Sequence, residues 1–267
     1  MIVCAPSSAT APPETAGAVL ISGSYGGVYN AWHAVRKGTR AVILSDAGVG
    51  KNRAGISGLS WLDDLGIPGG AADCMTCHIG DGDHILQFGK ISFVNRAADA
   101  LGCAVGEPVS DCARKMERAS QRVVEVPAIE GGKRYDLLRQ DGYPTVIGLD
   151  AAPLLIEADA GCIAITGSHA ALFRGRPDNV INVSLGAAYF NDAGVGLDSA
   201  GIARLADLDS RGTPSAAISC KSAEIGNARS GWDTGIISHV NTTARARGIV
   251  AGMAVQDSVA VLLARAV

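Results

Sequence analysis

The stretch Asp-Ala-Gly-Val-Gly at residues 46–50 recurs, 146 residues later, at residues 192–196. The same offset continues without a gap through residues 46–111, and about 28 of these 66 positions are identical in the two copies. Chance does not produce so long an ungapped match, so the chain contains an internal duplication. Because a solenoid needs at least three stacked repeats, two copies instead predict two similar units that pack around a pseudo-twofold axis.

Apolar segments typical of strands alternate with helical segments in both copies, which predicts parallel strands covered on both faces. The expected fold is therefore α/β, a tandem duplication of a Rossmann-like unit. A Gly-Ser turn follows the first strand of each copy, and the Asp-Ala-Gly-Val-Gly loop follows the second strand. The predicted strands are 18–22, 40–45 and 71–75 in copy one and 162–166, 187–191 and 216–220 in copy two. The predicted helices are 28–37, 56–65, 91–101 and 109–119, with 202–210 in copy two.

The duplication predicts three segments along the chain. Residues 1–120 form the first α/β repeat, residues 121–160 form a connector, and residues 161–267 form the second repeat. Within the connector, residues 122–127 and 134–138 are candidates to pair as a hairpin across a turn at 130–132.

Composition excludes several classes of protein. With 48% hydrophobic and 18% charged residues the chain is not intrinsically disordered, and its 34 glycines show no collagen period. The net charge of −3 and the lack of a strong basic cluster argue against a nucleic-acid partner. No apolar run is long enough to span a membrane, and the N-terminus does not resemble a secretory signal. The chain contains seven cysteines, an odd number that cannot all pair within one chain. Because the N-terminus does not resemble a secretory signal either, we expect a cytoplasmic protein with reduced thiols.

Glycine-rich loops at the carboxyl ends of strands predict where a ligand binds. In open α/β sheets ligands bind at that edge, and a loop that leads into a helix offers backbone N–H groups and the positive end of the helix dipole. An anionic ligand is therefore expected. Spacings around Gly50 and Gly55 match neither a P-loop nor a dinucleotide-binding loop, so no cofactor is assigned. The candidate binding residues are Gly23, Tyr25, Gly26, Gly48, Gly50, Gly194, Asn95 and Asn241.

Each copy also carries a serine and an aspartate at strand ends. The sequences around Ser24 and Ser168 resemble the Gly-x-Ser-x-Gly nucleophile elbow but do not match it fully. Each serine is therefore a candidate nucleophile, ligand contact or helix cap. Asp46 and Asp192 are candidates for a general base or an orienting carboxylate, or for a brace that bonds loop amides. These alternatives stay open at the level of sequence.

Differences between the copies indicate where a single active site would specialise. Tyr25 is replaced by His169, and Lys51 by Leu197. Since histidine exchanges protons at neutral pH, His169 is the candidate general base, acting on Ser24 or on a water and oriented by Asp46 or Asp192. The alternative is that His169 only binds substrate or caps a helix. Lys51 is a candidate to neutralise a substrate anion, or is a surface lysine.

Three further motifs could belong to a functional site or could only stabilise the fold. The string Cys-x-x-Cys-His at 74–78 lacks the export context expected of haem attachment. Residues 78–84 contain two histidines and two aspartates, His78, Asp81, Asp83 and His84, which could bind a metal or could be a hydrogen-bonded loop before a helix, and no metal is assigned. Ser92 and Asn95 are expected on one face of a helix, with Ser238 and Asn241 repeating the pattern.

Together these features predict an enzyme that acts on a small, polar, anionic metabolite. Hydrolysis of a C–N or acyl bond is favoured, with the site at the interface of the two repeats and loop amides stabilising an oxyanion. A non-catalytic binding or sensor protein is the alternative, as is a lyase or isomerase. A homo-oligomer is also expected.

Overall fold

The strands of the two copies form two separate sheets. The structure is a computed structural model and describes residues 1–129, 132–177 and 180–264. The first sheet contains, in spatial order, β1 (Ile2–Ala5), β2 (Val19–Tyr25), β3 (Ala41–Ser45), β4 (Gly69–Ala72) and β5 (Ile91–Val94). Strands β1 to β4 are parallel, whereas β5 is antiparallel to β4.

The second sheet repeats this order and has one additional strand. It contains, in spatial order, β6 (Arg134–Leu138), β7 (Val146–Leu149), β8 (Ile163–His169), β9 (Ala187–Asn191), β10 (Ser215–Ile218) and β11 (Ile237–Val240). Strands β7 to β10 are parallel, and both edge strands, β6 and β11, are antiparallel to their neighbours. Strands β7 to β11 therefore correspond to β1 to β5, and β6 has no counterpart in the first sheet.

Helices lie between strands of both units, although the described residues between β8 and β9 form no counterpart of the first helix of unit one. Those of unit one are α1 (Val28–Arg36), α2 (Gly58–Asp64), α3 (Gly82–Phe88), α4 (Arg96–Asp99) and α5 (Val109–Met116). Those of unit two are α6 (Arg204–Ser210), α7 (Ala228–Thr234), α8 (Thr242–Ala246) and α9 (Val255–Ala264). The predicted α/β fold with two Rossmann-like units is confirmed.

Burial on both sheet faces explains why the central strands are apolar throughout. On β2, Val19 and Ile21 pack in one cluster of buried residues with Met116 of α5, and Leu20 packs in another with Ala31 of α1. Successive side chains of a strand point to opposite faces, so a strand covered on both sides needs apolar residues at every position.

The two units contact each other through their Asp-Ala-Gly-Val-Gly loops, and the contacts are reciprocal. A Cβ atom built on Gly48 would lie 2.7 Å from Cα of Gly194, and one built on Gly194 would lie 2.8 Å from Cα of Gly48. Likewise the Lys51 N–H donates to the Cys220 carbonyl at 2.7 Å, and the Leu197 N–H donates to the Cys74 carbonyl at 2.8 Å. Such reciprocity supports the predicted pseudo-twofold axis, which a superposition of residues 18–111 on 162–257 tests.

Several predicted elements differ from the structure. Residues 91–101 do not form one helix: 91–94 is the antiparallel strand β5, and Asn95 then caps α4. Three of the four residues of the segment Ile-Ser-Phe-Val have high β-propensity, which favours a strand. The Gly-Ser turns belong to the ends of β2 and β8, where the strand pairing shifts register.

The predicted hairpin has a different partner strand. Residues 134–138 form a strand as expected, but β6 pairs with β7 rather than with residues 122–127. Residues 122–127 are not part of either sheet, and Glu130 and Gly131 of the predicted turn lie outside the described residues. In the described ranges, no helix combines the length and the apolar character needed to cross a bilayer.

Candidate functional site

Four of the predicted site residues meet in one pocket between the two units. Ser24 and Tyr25 come from the carboxyl end of β2, and Ser168 and His169 come from the carboxyl end of β8. The sequence predicted this pairing of strand ends across the interface. The pocket is also lined by Ser7, Ala9, Tyr29, Asn30, Asp150, Ala151, Pro153, Phe173, Val180 and Arg204.

The two serines make equivalent contacts. The Ser24 hydroxyl oxygen accepts a hydrogen bond from the Ser8 N–H at 3.1 Å, and the Ser168 hydroxyl oxygen accepts one from the Ala152 N–H at 2.9 Å. Each serine thus anchors the loop that follows the first parallel strand of its unit. A hydroxyl that accepts one hydrogen bond retains its own proton, so each serine can also donate. The Ser24 hydroxyl donates to the Ser7 hydroxyl over a long distance of 3.5 Å, and a ligand that binds Ser24 replaces this bond.

His169 is held by its own backbone turn. Its Nδ1 accepts a hydrogen bond from the Ala171 N–H at 3.2 Å. A ring nitrogen that accepts an N–H bond is unprotonated, so the proton of the neutral imidazole lies on Nε2. In this arrangement His169 is a hydrogen-bond donor, and the general-base role predicted from sequence has no support in the contact.

Tyr25 projects from unit one onto unit two. Burial, followed by the charge of Asp150, raises the pKa of its phenol well above the usual value, so the hydroxyl stays protonated. A Cβ atom on Gly226 would lie 2.0 Å from the Tyr25 hydroxyl oxygen, which means that only glycine leaves room for this side chain. Tyr25 is therefore a neutral donor at the wall of the pocket.

Two charged residues of the pocket are not among the site residues predicted from the sequence. Arg204, at the start of α6, is only 2% exposed, and its Nη2 donates to the Ala171 carbonyl at 2.7 Å. Asp150, just after β7, accepts hydrogen bonds from the Ala228 and Lys133 N–H groups. Both are differences between the copies, since Arg204 aligns with Gly58 and Asp150 with Pro6. A complete comparison of the repeats would have identified them.

Asp46 and Asp192 each lie at the carboxyl end of a strand, β3 and β9, in their own sheets, and outside this pocket. Asp46 Oδ1 accepts hydrogen bonds from the N–H groups of Gly48 at 3.0 Å and Cys74 at 3.1 Å. Asp192 Oδ1 makes the equivalent bonds to Gly194 and Cys220. These contacts are those of the loop-bracing alternative, in which each carboxylate joins its glycine-rich loop to the end of β4 or β10.

Substitution of Asp46 by asparagine separates the two alternatives. The amide oxygen of the new side chain can still accept both N–H bonds. If Asp46 is only a brace, we therefore expect the free energy of unfolding to fall by at most about 1 kcal/mol and turnover to be unchanged. Asp46→Ala removes the acceptor from two buried amides and is expected to cost about 2–4 kcal/mol. Chemical denaturation measures both. A folded Asp46→Asn protein with turnover reduced a hundredfold or more would contradict the brace and restore a catalytic role.

The remaining loop residues predicted to bind substrate contact the other unit instead. The Lys51 ammonium donates to the Thr234 hydroxyl at 2.8 Å and to the Ser222 carbonyl at 3.3 Å, both in unit two. A Cβ atom on Gly50 would lie 3.0 Å from the Cys220 carbonyl oxygen. Like Gly48 and Gly194, these residues are part of the packing between units and do not line the pocket.

Gly23, Gly26 and the two asparagines stabilise the fold locally. A Cβ atom on Gly23 would lie 2.4 Å from the Asp81 backbone nitrogen, and one on Gly26 would lie 2.8 Å from the Gly55 carbonyl oxygen. Asn95 and Asn241 each cap a helix and hold the start of β4 or β10. The hydrogen bonds of Asn95 join Oδ1 to the N–H groups of Gly69 and Ala98, and those of Asn241 join Oδ1 to the N–H groups of Ser215 and Ala244.

The histidine-rich loop forms a separate contact between the units. The rings of His78 and His84 stack with centroids 3.8 Å apart, and His78 Nε2 lies 2.9 Å from the Asp198 carboxylate of unit two. Asp81 caps α3, and Asp83 pairs with Arg174. Over the described ranges, this loop does not bring three possible metal-binding atoms within 4.8 Å of one another. None of the seven cysteines forms a disulfide.

Comparison with known proteins adds no family to this description. No protein-family model, no curated protein and no solved structure matches the chain.

Proposed function

We propose that the protein is an enzyme that hydrolyses a C–N or acyl bond of a small anionic metabolite in the pocket between its two units. The observation that carries the proposal is the convergence of Ser24, Tyr25, Ser168 and His169 on one pocket that also contains the buried Arg204. A buried guanidinium is a strong partner for a carboxylate, because charge-assisted hydrogen bonds gain strength where water is excluded.

The donors around the pocket suit the charge that develops in acyl transfer. Attack on a carbonyl carbon places negative charge on the carbonyl oxygen, and preorganised neutral donors lower the energy of that state. His169 Nε2–H and the protonated phenol of Tyr25 are such donors. The attacking group is the Ser24 hydroxyl or a water molecule. The Asp150 carboxylate, which also lines the pocket, accepts the proton of the attacking group and returns it to the leaving amine or alcohol.

A non-catalytic binding protein is the second candidate, and the serine contacts favour it. Both serine hydroxyls accept a backbone N–H, as expected for anchoring residues, and the contact is the same in the two units. In this alternative the same pocket binds the anionic molecule without turnover.

The role of Arg204 tests the ligand class shared by both candidates. A panel of small carboxylates with amide or ester groups is screened by thermal stabilisation, and each compound that binds is then assayed for release of its amine or alcohol. We expect Arg204→Met to weaken binding at least tenfold, since loss of a charge-assisted hydrogen bond costs about 1.5–3 kcal/mol. Arg204→Lys should retain part of the affinity.

The control is Arg96→Met, which removes an exposed arginine outside the pocket. Turnover of any compound supports the hydrolase, whereas stabilisation without turnover supports the binding protein. Unchanged affinity in a folded Arg204→Met variant would contradict the anionic ligand class in both.

A further inference from the structure

Two cysteines and a glutamate lie together in unit one, outside the pocket between the units. The sulfur atoms of Cys103 and Cys112 and a carboxylate oxygen of Glu107 all lie within 4.8 Å of one another. Cys103 and Glu107 belong to the loop between α4 and α5, and Cys112 lies in α5. Both cysteines are buried, whereas the Glu107 side chain is 15% exposed. The carboxylate is therefore the side of the group that solvent reaches.

The equivalent loop of unit two shows that the fold does not require these three side chains. In each unit the loop is held by the same backbone hydrogen bond to the last strand. The Ile91 N–H donates to the Glu107 carbonyl at 2.9 Å, and the Ile237 N–H donates to the Met253 carbonyl at 2.9 Å. The residues of unit two aligned with the group are Ile249, Met253 and Ser258. Since Ile249 and Met253 pack in the apolar core of unit two, the loop forms there without thiols or a carboxylate.

Lys115 places a positive charge beside the group. Its ammonium donates to the Glu107 carboxylate and, at 2.7 Å, to the Gly102 carbonyl. The aligned residue of unit two is Val261, so the lysine also belongs to unit one alone. Two thiolates and one carboxylate carry three negative charges, and the ammonium carries one positive charge. A divalent cation would make the whole group neutral, which matters because uncompensated buried charge is costly.

We propose that Cys103, Glu107 and Cys112 bind a zinc ion, with a water molecule as the fourth ligand. Tetrahedral zinc takes thiolate sulfur at about 2.3 Å and carboxylate oxygen at about 2.0–2.2 Å, so its ligand atoms lie roughly 3.5–4 Å apart. Small side-chain rotations bring the three atoms to that spacing. Magnesium and calcium prefer oxygen ligands only, so two thiolates select against them.

Bound zinc joins the loop between α4 and α5 to α5 itself. The ion replaces the two thiol protons, which are released to solvent. One of these protons belongs to the Cys103 thiol, which in the metal-free chain donates to the Cys112 carbonyl at 3.6 Å. Because the ion binds the folded loop and not the unfolded chain, it stabilises unit one.

Cobalt(II), which takes the place of zinc in tetrahedral sites, tests the type of ligand directly. The full chain is treated with a chelator and a reductant and is then titrated with Co²⁺. We expect one ion per chain, with an intense near-ultraviolet band from thiolate-to-cobalt charge transfer and the visible bands of tetrahedral cobalt. Zinc should abolish both signals. A wild-type protein that shows no thiolate-to-cobalt band overturns the proposal, whatever the variants do.

Isothermal titration calorimetry with Zn²⁺ then identifies the residues. Cys112→Ser should weaken zinc binding at least about 100-fold, since loss of a ligand exceeds the about 10–100-fold effect of losing a residue that only bonds a ligand. Serine is also the aligned residue of unit two, Ser258. Cys77→Ser is the matched control, because Cys77 is buried in the same apolar cluster but is not part of the group, and its affinity should be unchanged.

Glu107→Gln is a second variant for the case that circular dichroism shows Cys112→Ser to be unfolded. The new amide oxygen can still accept the Ala104 N–H, which Glu107 accepts at 3.0 Å, but it is a poor zinc ligand. Zinc affinity should fall at least tenfold. Zinc that binds the wild type and a folded Cys112→Ser protein equally well lies elsewhere and overturns the proposal, as does a folded Glu107→Gln protein with unchanged affinity.

Discussion

Replacement of His169 by alanine is expected to lower kcat for hydrolysis by about 10²–10³-fold, the usual effect of removing one donor to an oxyanion. The donor role follows from the Ala171 N–H that bonds Nδ1 and leaves the ring proton on Nε2. Steady-state kinetics on a compound that the protein turns over measures the effect. His239→Ala is the matched control, because His239 lies on β11 outside the pocket, and its kcat should be unchanged.

The pH dependence of kcat separates the donor role from the general-base role. If a histidine acts as general base, kcat must fall as the pH falls through the pKa of the imidazole, which is near 6.5 for an unperturbed histidine. A donor role imposes no such loss, because the imidazolium form also carries a proton on Nε2. A kcat that falls tenfold per pH unit below about 6.5, and no longer does so in His169→Gln, would restore the general base. A folded His169→Ala variant with normal kcat would remove the residue from the mechanism altogether.

Replacement of Gly48 by alanine is expected to lower the free energy of unfolding by about 4 kcal/mol, at the upper end for a single substitution. Its φ of 69° costs an alanine about 1–2 kcal/mol. In addition, the new Cβ would lie 2.7 Å from backbone of the other unit, which cannot move away as a flexible side chain does.

Gly212→Ala is a closely matched control for the Gly48 variant. Gly212 has a φ of 68°, and nothing lies within 4 Å of its added Cβ, so only the backbone cost of about 1–2 kcal/mol applies. Urea denaturation of the two variants measures the difference. Equal destabilisation would show that the contact between the loops contributes nothing beyond backbone strain.

Periodicity and the repeat predicted the parallel strands β2 to β4 and β8 to β10, because a strand buried on both faces must be apolar throughout. The parallel strands β1 and β7 were not predicted, and the sequence interpretation places residues 146–149 in the connector. The sequence predicts a helix over residues 91–101, because a strand of four residues directly before a helical segment gives no period of its own. The role of Asp46 could not be decided from sequence, since a carboxylate at a strand end can serve equally as a brace or as a base. Arg204 and Asp150 differ from their counterparts in copy one, so the sequence could have marked them as candidates, but only the folded chain shows that both line one pocket.

The reciprocal contact between Gly48 and Gly194 bears on how such a chain could arise. A single unit with this loop would present the same surface to another copy of itself, so the interface could first exist in a homodimer of half-length chains. In such an ancestor every change would occur twice, once on each side of the axis. Fusion of two genes into one frees the two sides to diverge. Tyr25 opposite His169, and Gly58 opposite Arg204, are the kind of asymmetry that only the fused chain can encode.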